Sequence, residues 1–272
     1  MTILLALALP VTASGAKRSA GGGAKASTTV NYGPEPDETA TIYPAGPTPL
    51  LLLHGKGVAA DSIRNQAKFL QSEGFTVFDL EWGEKSRGKG GIFPFASGQI
   101  EEAVAYVRGH GGRAYDPSQL VMVGGSRGAL LAMLTAEREN AVTHGTVKAV
   151  VALSGQVNPE ASIERARQGE LAPTMTGTLA ETFGCTKELV SCPEAYVREW
   201  SPILDVTEST PPMLLAASEA EMRASVPDQY EMAEALHRVD VQASVLVPSS
   251  GHALGYWGEV REQVVAFLEA NA

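Results

Sequence analysis

A chain of 272 residues, 44% of them apolar, has room for one large α/β domain or two small ones. Its net charge of −10 and the absence of any sizeable basic cluster argue against nucleic acid as a partner. The acidic surplus serves solubility, and no internal repeat divides the chain.

The first apolar run, Ile3-Leu-Leu-Ala-Leu-Ala-Leu9, is too short to span a bilayer, so no stable membrane anchor is expected. Small residues follow in Pro10-Val-Thr-Ala13-Ser-Gly15, as a signal peptidase requires, although no Lys or Arg precedes the run. Ala16 to Ser27, rich in Gly, Ala and Ser, has the composition of a flexible linker. Residues 1–27 are therefore read as signal peptide and linker ahead of a folded domain over 28–272, in a secreted or periplasmic protein. The alternative is a cytoplasmic chain with a misplaced start or an extra core strand.

Thr28–Tyr32 and Glu38–Tyr43 alternate as edge strands around the turn Gly33-Pro-Glu-Pro36. Thr48–Leu53 is continuously apolar, as in a strand covered on both faces, and runs into His54-Gly-Lys-Gly57. Asp61–Glu73 has helical spacing, with Asp61 as N-cap and Gly74 as stop. Phe75–Leu80 is the next strand. The long glycine-rich loop Glu81–Phe95 either lines a pocket through Trp82, Phe93 or Phe95, or is simply solvated. A helix over Ser97–Arg108 and a turn at Tyr115-Asp-Pro117 lead into Leu120-Val-Met-Val-Gly-Gly-Ser126-Arg-Gly128.

That stretch is a valine-rich strand turning directly into the Ala- and Leu-rich helix Ala129–Ala136, with Gly124-x-Ser126-x-Gly128 at the turn. Small residues around Ser126 let the two backbones approach, and the turn holds the hydroxyl exposed beside a helix N-terminus. The stretch is a nucleophile elbow and resembles the α/β-hydrolase family, with bacterial carboxylesterases and carbohydrate acetyl esterases nearest in layout. The resemblance runs from about Pro49 to the C-terminus. It implies a mostly parallel central sheet with helices on both faces and a helical cap insertion. It also implies an oxyanion hole from the backbone N–H groups of Arg127 and of the Lys56-Gly57 loop, where glycines keep side chains off the substrate. His54 is read as structural.

After the elbow helix, Val147–Leu153 is another buried strand, closing at Ser154-Gly155. The segment 156–212 is too long for a simple connection, and in the family such an insertion caps the site. It holds both cysteines, Cys185 and Cys192. In an exported chain their spacing favours a local disulfide tying the cap; in a cytosolic one they would be free thiols. No further Cys stands nearby to complete a metal site.

Pro211–Ala217 is a strand of the kind that precedes the catalytic acid in the family. Ser218-Glu-Ala-Glu221 stands where family members usually carry Gly-x-x-Asp, so Glu221 is the expected acid, with Glu219 and Asp228 as competitors. A helix over Pro227–Arg238 and a last strand over Val241–Val247 follow. Gly251-His252 lies in the loop where the family places its general base, before the closing helix Glu259–Glu269.

The order Ser126, acid, His252 implies a serine hydrolase. His252 would take the hydroxyl proton as Ser126 attacks a carbonyl carbon, because serine is almost wholly un-ionised at neutral pH. No metal or organic cofactor is needed. The expected substrate is a small-molecule or saccharide ester with a short to medium acyl group. Two alternatives stand beside it: a peptidase or amidase of the prolyl-oligopeptidase type, and a non-catalytic binding protein on a hydrolase scaffold.

Overall fold

The continuous apolar runs form the middle of an eight-stranded sheet. Its strands are β1 (Thr28–Asn31), β2 (Thr39–Tyr43), β3 (Pro49–Leu53), β4 (Thr76–Glu81), β5 (Val121–Gly125), β6 (Ala149–Leu153), β7 (Met213–Ala216) and β8 (Ala243–Leu246). The spatial order is β1-β2-β4-β3-β5-β6-β7-β8. β1 and β2 pair antiparallel, as do β2 and β4, and every other pairing is parallel. The computed structural model describes residues 26–83, 95–186, 189, 191, 192, 194–221 and 224–272. The proposed signal peptide and most of the linker lie outside these residues.

The helices are α1 (Arg64–Ser72), α2 (Phe95–Gly109), α3 (Arg127–Val142), α4 (Pro159–Arg167), α5 (Pro173–Phe183), α6 (Glu194–Glu199), α7 (Val226–His237) and α8 (Trp257–Asn271). Alternate side chains along each parallel strand face opposite layers, since the period of a strand is two. Leu50, Leu52, Val121, Val123, Val151 and Leu214 pack with Leu70 of α1 and Val264 and Leu268 of α8. Leu51, Leu53, Met122, Val150 and Leu215 face the other way, against Ile100 of α2, Leu130 and Leu134 of α3 and Met232 of α7. A strand buried on both faces has no polar positions to alternate with, which is why these runs look uniformly apolar.

One helix start differs from expectation. Asp61 lies in a 3-10 turn (Ala60–Ile63) that precedes α1, and its side chain is not the cap. The N–H of Ala60 instead donates to Glu81 Oε2 at 3.0 Å, a carboxylate from the end of β4. A cap supplied by a distant residue leaves no local sequence signal.

The connection from β6 to β7 carries α4, α5 and α6. Asn158 caps α4, its Oδ1 accepting from Ala161 N at 3.0 Å. Gly184, at φ 64°, ends α5 in the left-handed conformation that favours glycine. The next residue, Cys185, is joined to Cys192 by a disulfide. Arg167 of α4 reaches into the loop so closed, its Nη2 donating to the carbonyls of Leu189 and Cys192, both at 3.1 Å.

Candidate active site

The site follows from the strand order. β3 and β5 are parallel neighbours, with Leu53 beside Gly124, but the chain leaves β3 towards β4 on one side and returns to β5 on the other. The connections diverge there, leaving a crevice above the strands' C-terminal ends. His54-Gly-Lys-Gly57 and Ser126 both open into it.

Ser126 has φ 55° and ψ −116°, a conformation strained for any residue with a Cβ. Its surroundings hold it there. Its N–H donates to Leu153 O at 2.7 Å, and its own carbonyl accepts from Ala129 and Leu130 at 3.0 and 3.2 Å as α3 begins. The flanking glycines are required by close approach. A Cβ on Gly124 would fall 2.3 Å from Gly128 O, and one on Gly128 would fall 2.4 Å from His54 O. Strand, elbow helix and the β3 loop thus touch backbone to backbone, with Ser126 at the apex of α3's positive end.

The β3 loop closes on Ser126: a Cβ on Gly55 would meet Ser126 Cβ at 3.2 Å. Beside Ser126 is a small cavity of about 30 Å³, lined in part by Lys56, Arg127, Leu130, Ser154 and Gln156. Helix α5 forms the remaining wall through Thr178 and Thr182. It is tied to both the β3 loop and the elbow, since Lys56 forms an ion pair with Glu181 and Arg127 Nη2 donates to Thr182 Oγ1 at 2.8 Å. Gly57, at φ 69°, completes the loop in the left-handed region.

His252 lies on the loop after β8. A Cβ on Gly125 would fall 3.0 Å from Leu254 Cγ and 3.3 Å from Ala253 Cβ, so this loop lies against the elbow. His252 Nδ1–H donates to Glu221 Oε2 at 2.6 Å. A carboxylate only accepts, so the proton sits on Nδ1 and Nε2 is the basic nitrogen. The Glu221 side chain is 4% exposed and that of His252 29%, an acid inside and an imidazole at the crevice. Glu221 reaches the ring because the chain turns after β7, with Glu221 N–H donating to Ser218 O at 3.0 Å.

The BD-FAE family model matches residues 44–236, from ahead of β3 to the end of α7. The chain belongs to the BD-FAE family. No curated protein matches it. Among solved structures, this BD-FAE chain is similar to the acetyl ester-xyloside bifunctional hydrolase from Caldicellulosiruptor lactoaceticus, at 16% identity and a TM-score of 0.69. That match covers 89% of this chain and 96% of the other. A truncated carbohydrate esterase from gut microbiota matches at 18% identity and a TM-score of 0.71, over 91% and 96% of the two chains. The hyperthermophilic esterase from Pyrobaculum calidifontis matches at 19% and 0.67, over 85% and 81%. These likenesses show the α/β-hydrolase fold that the elbow implied.

The two other carboxylates considered for that role are placed differently in this BD-FAE chain. Asp228 accepts from Arg165 Nη2 through both oxygens at 3.1 Å, linking α7 to α4, and Glu219 is exposed. Trp82 does not line the cavity: it is 1% exposed in the core and stacks on His54 with ring centroids 4.9 Å apart. As the residue just after β4 it continues the buried strand rather than the loop. Phe93 lies outside the described residues, as does the side chain of Phe95, whose backbone opens α2. His54 is 2% exposed and holds Gly55 O through Nδ1 at 2.8 Å, a structural role in shaping the loop. Sequence reading passed over Ser154, Gln156, Thr178 and Thr182, and the only signal for Ser154 was its place at the end of a strand adjacent to β5.

Proposed function

We propose that this protein is a serine-dependent carboxylic ester hydrolase that works through an acyl-enzyme on Ser126. The observation that carries the reading is the 2.6 Å contact of His252 Nδ1 with buried Glu221, on a loop packed against the strained elbow at Ser126. His252 Nε2 takes the Ser126 proton as Oγ attacks the ester carbonyl, and Glu221 steadies the imidazolium that forms. The backbone N–H groups of Arg127 and of the Lys56-Gly57 loop receive the oxyanion, a contribution of about 3–4 kcal/mol per donor in a well-studied protease. His252 then returns the proton to the leaving alcohol, and water attacks the acyl-enzyme by the same route in reverse.

The cavity of about 30 Å³ beside Ser126 supports a short acyl group. The carbohydrate-directed names of two structural neighbours support a saccharide as the alcohol. The Cys185–Cys192 disulfide supports an exported protein, because such bonds persist in oxidising compartments. A panel of nitrophenyl esters and aminoacyl nitroanilides tests the reading. Short esters are hydrolysed, Ser126→Ala abolishes turnover with the fold intact, and a fluorophosphonate labels Ser126 alone. Activity in Ser126→Ala, or labelling elsewhere, overturns it.

A further inference from the structure

The loop that carries His252 is gripped on both sides of the histidine by a buried serine. Ahead of it, Ser218 Oγ donates to Gly251 O at 2.7 Å. Behind it, Ala253 N–H donates to Ser154 Oγ at 2.9 Å. Both serines are enclosed, Ser218 at 0% exposure and Ser154 at 2%. They come from the ends of β7 and β6, the two strands that follow the elbow strand in the sheet.

One proton order satisfies every contact behind Ser154. Tyr256 OH has a single proton and donates it to Ala216 O at 3.1 Å. Its oxygen therefore accepts from Ser154 Oγ–H across 2.9 Å. The chain runs from Ala253 N–H to Ser154, to Tyr256, to the last carbonyl of β7, with each hydroxyl donating once and accepting once. A satisfied buried network of this kind fixes geometry more firmly than packing alone. It also lies at a strained point: Ser154 has φ 54° and Ala253 φ 51°, neither being glycine. Glycine at position 154 would relieve the backbone but supply no hydroxyl.

We propose that Ser154 and Ser218 are positioning residues for His252, one holding each flank so that the ring meets Glu221 and Ser126 in register. The proposal rests on the catalytic reading of Ser126, His252 and Glu221 given above. Ser154 carries its strain and supplies the acceptor of the Ala253 N–H.

Ser154→Gly separates this role from a merely structural one, because it removes strain and hydroxyl together. Its thermal midpoint falls only modestly, since relief of the backbone offsets part of what is lost when the buried Ala253 N–H loses its acceptor, while kcat on a short nitrophenyl ester falls about 10–100-fold with KM little changed, the scale of a misplaced catalytic group. The rate of fluorophosphonate labelling at Ser126 falls in parallel. The downfield NMR resonance of the His252 Nδ1 proton broadens or shifts, a readout independent of any substrate. Ser218→Ala does the same from the other flank, and Tyr256→Phe gives a smaller loss in the same direction should Ser154→Gly fail to fold. Wild-type kcat, labelling rate and Nδ1 resonance in folded Ser154→Gly and Ser218→Ala overturn the proposal. Ser126→Ala and His252→Ala are run alongside: if they stay active the catalytic reading itself has failed, and if they are dead while the serine variants are unaffected only the positioning role has.

Discussion

Glu221 and Asp228 stand seven positions apart yet face different tasks, and substitution should separate them. Glu221 is a buried acceptor on the imidazole, whereas Asp228 is held between both contacts of Arg165 and the start of its own helix, where its N–H donates to Ser225 Oγ at 3.2 Å. Glu221→Gln keeps the shape but leaves a neutral partner and frees the ring to adopt the wrong tautomer. The expected loss in kcat is about 10⁴-fold with KM little changed, the scale found when a triad acid is made an amide. Asp228→Asn should leave kcat unchanged and lower stability by no more than about 1 kcal/mol, because Arg165 is partly exposed and the pair is screened. Parallel kinetics and thermal melts of the two variants check this, and a large kcat loss in Asp228→Asn would reassign the acid. Sequence left the choice open for a physical reason. Three carboxylates follow one strand, and only the turn from Ser218 to Glu221 decides which points back to the histidine.

The elements were legible where burial alone defines them. Runs such as Leu50–Leu53 and Val121–Val123 are apolar on both faces because two helix layers cover them, so the inner strands could be read without knowing their order. What escaped depends on distant partners, as with the Glu81 cap on Ala60 and the Trp82 ring stacked on His54. The insertion between β6 and β7 shows the same limit. Its helices could be expected, but not that α5 reaches both the β3 loop and the elbow through Glu181 and Thr182. Those contacts tie the disulfide to a wall of the cavity along the chain, since Cys185 lies two residues past the end of α5. Replacing both cysteines with serine removes a short closed loop, which the chain-entropy picture values at about 2 kcal/mol. The thermal midpoint should fall and KM for short esters should rise several-fold as α5 loosens, while the labelling rate of Ser126 changes little. An unchanged KM in the double variant would detach the disulfide from substrate binding.

At the scale of the whole molecule, two buried carboxyls set a pH dependence that surface charge does not. Asp79, 1% exposed on β4, is pushed up to about 8, first by burial and then by Glu81 and Asp61, with Arg64 pulling the other way. Glu137, in α3, is raised well above the usual range by burial and by Asp205, and neither of its oxygens has a hydrogen-bond partner among the described residues. A carboxyl raised in the folded state binds its proton more tightly there than in the unfolded chain. Its contribution to stability is therefore fully present below the unfolded value, near 4, and is lost as pH rises through the folded one. For Asp79 the window runs from about 4 to about 8. Glu137→Gln removes the titrating group while keeping the volume, so its benefit should depend on pH. Near pH 4.5 the variant and wild type should melt together, both carrying a neutral side chain. Towards pH 8 the variant should become the more stable, each kcal/mol appearing as about 2–4 °C in the midpoint for a chain of this size. Asp79→Asn should show the same divergence, levelling off once pH passes the folded value. Thermal melts of the three proteins across that range measure it directly, and a difference between variant and wild type that stays constant with pH would mean these carboxyls do not titrate where their burial places them.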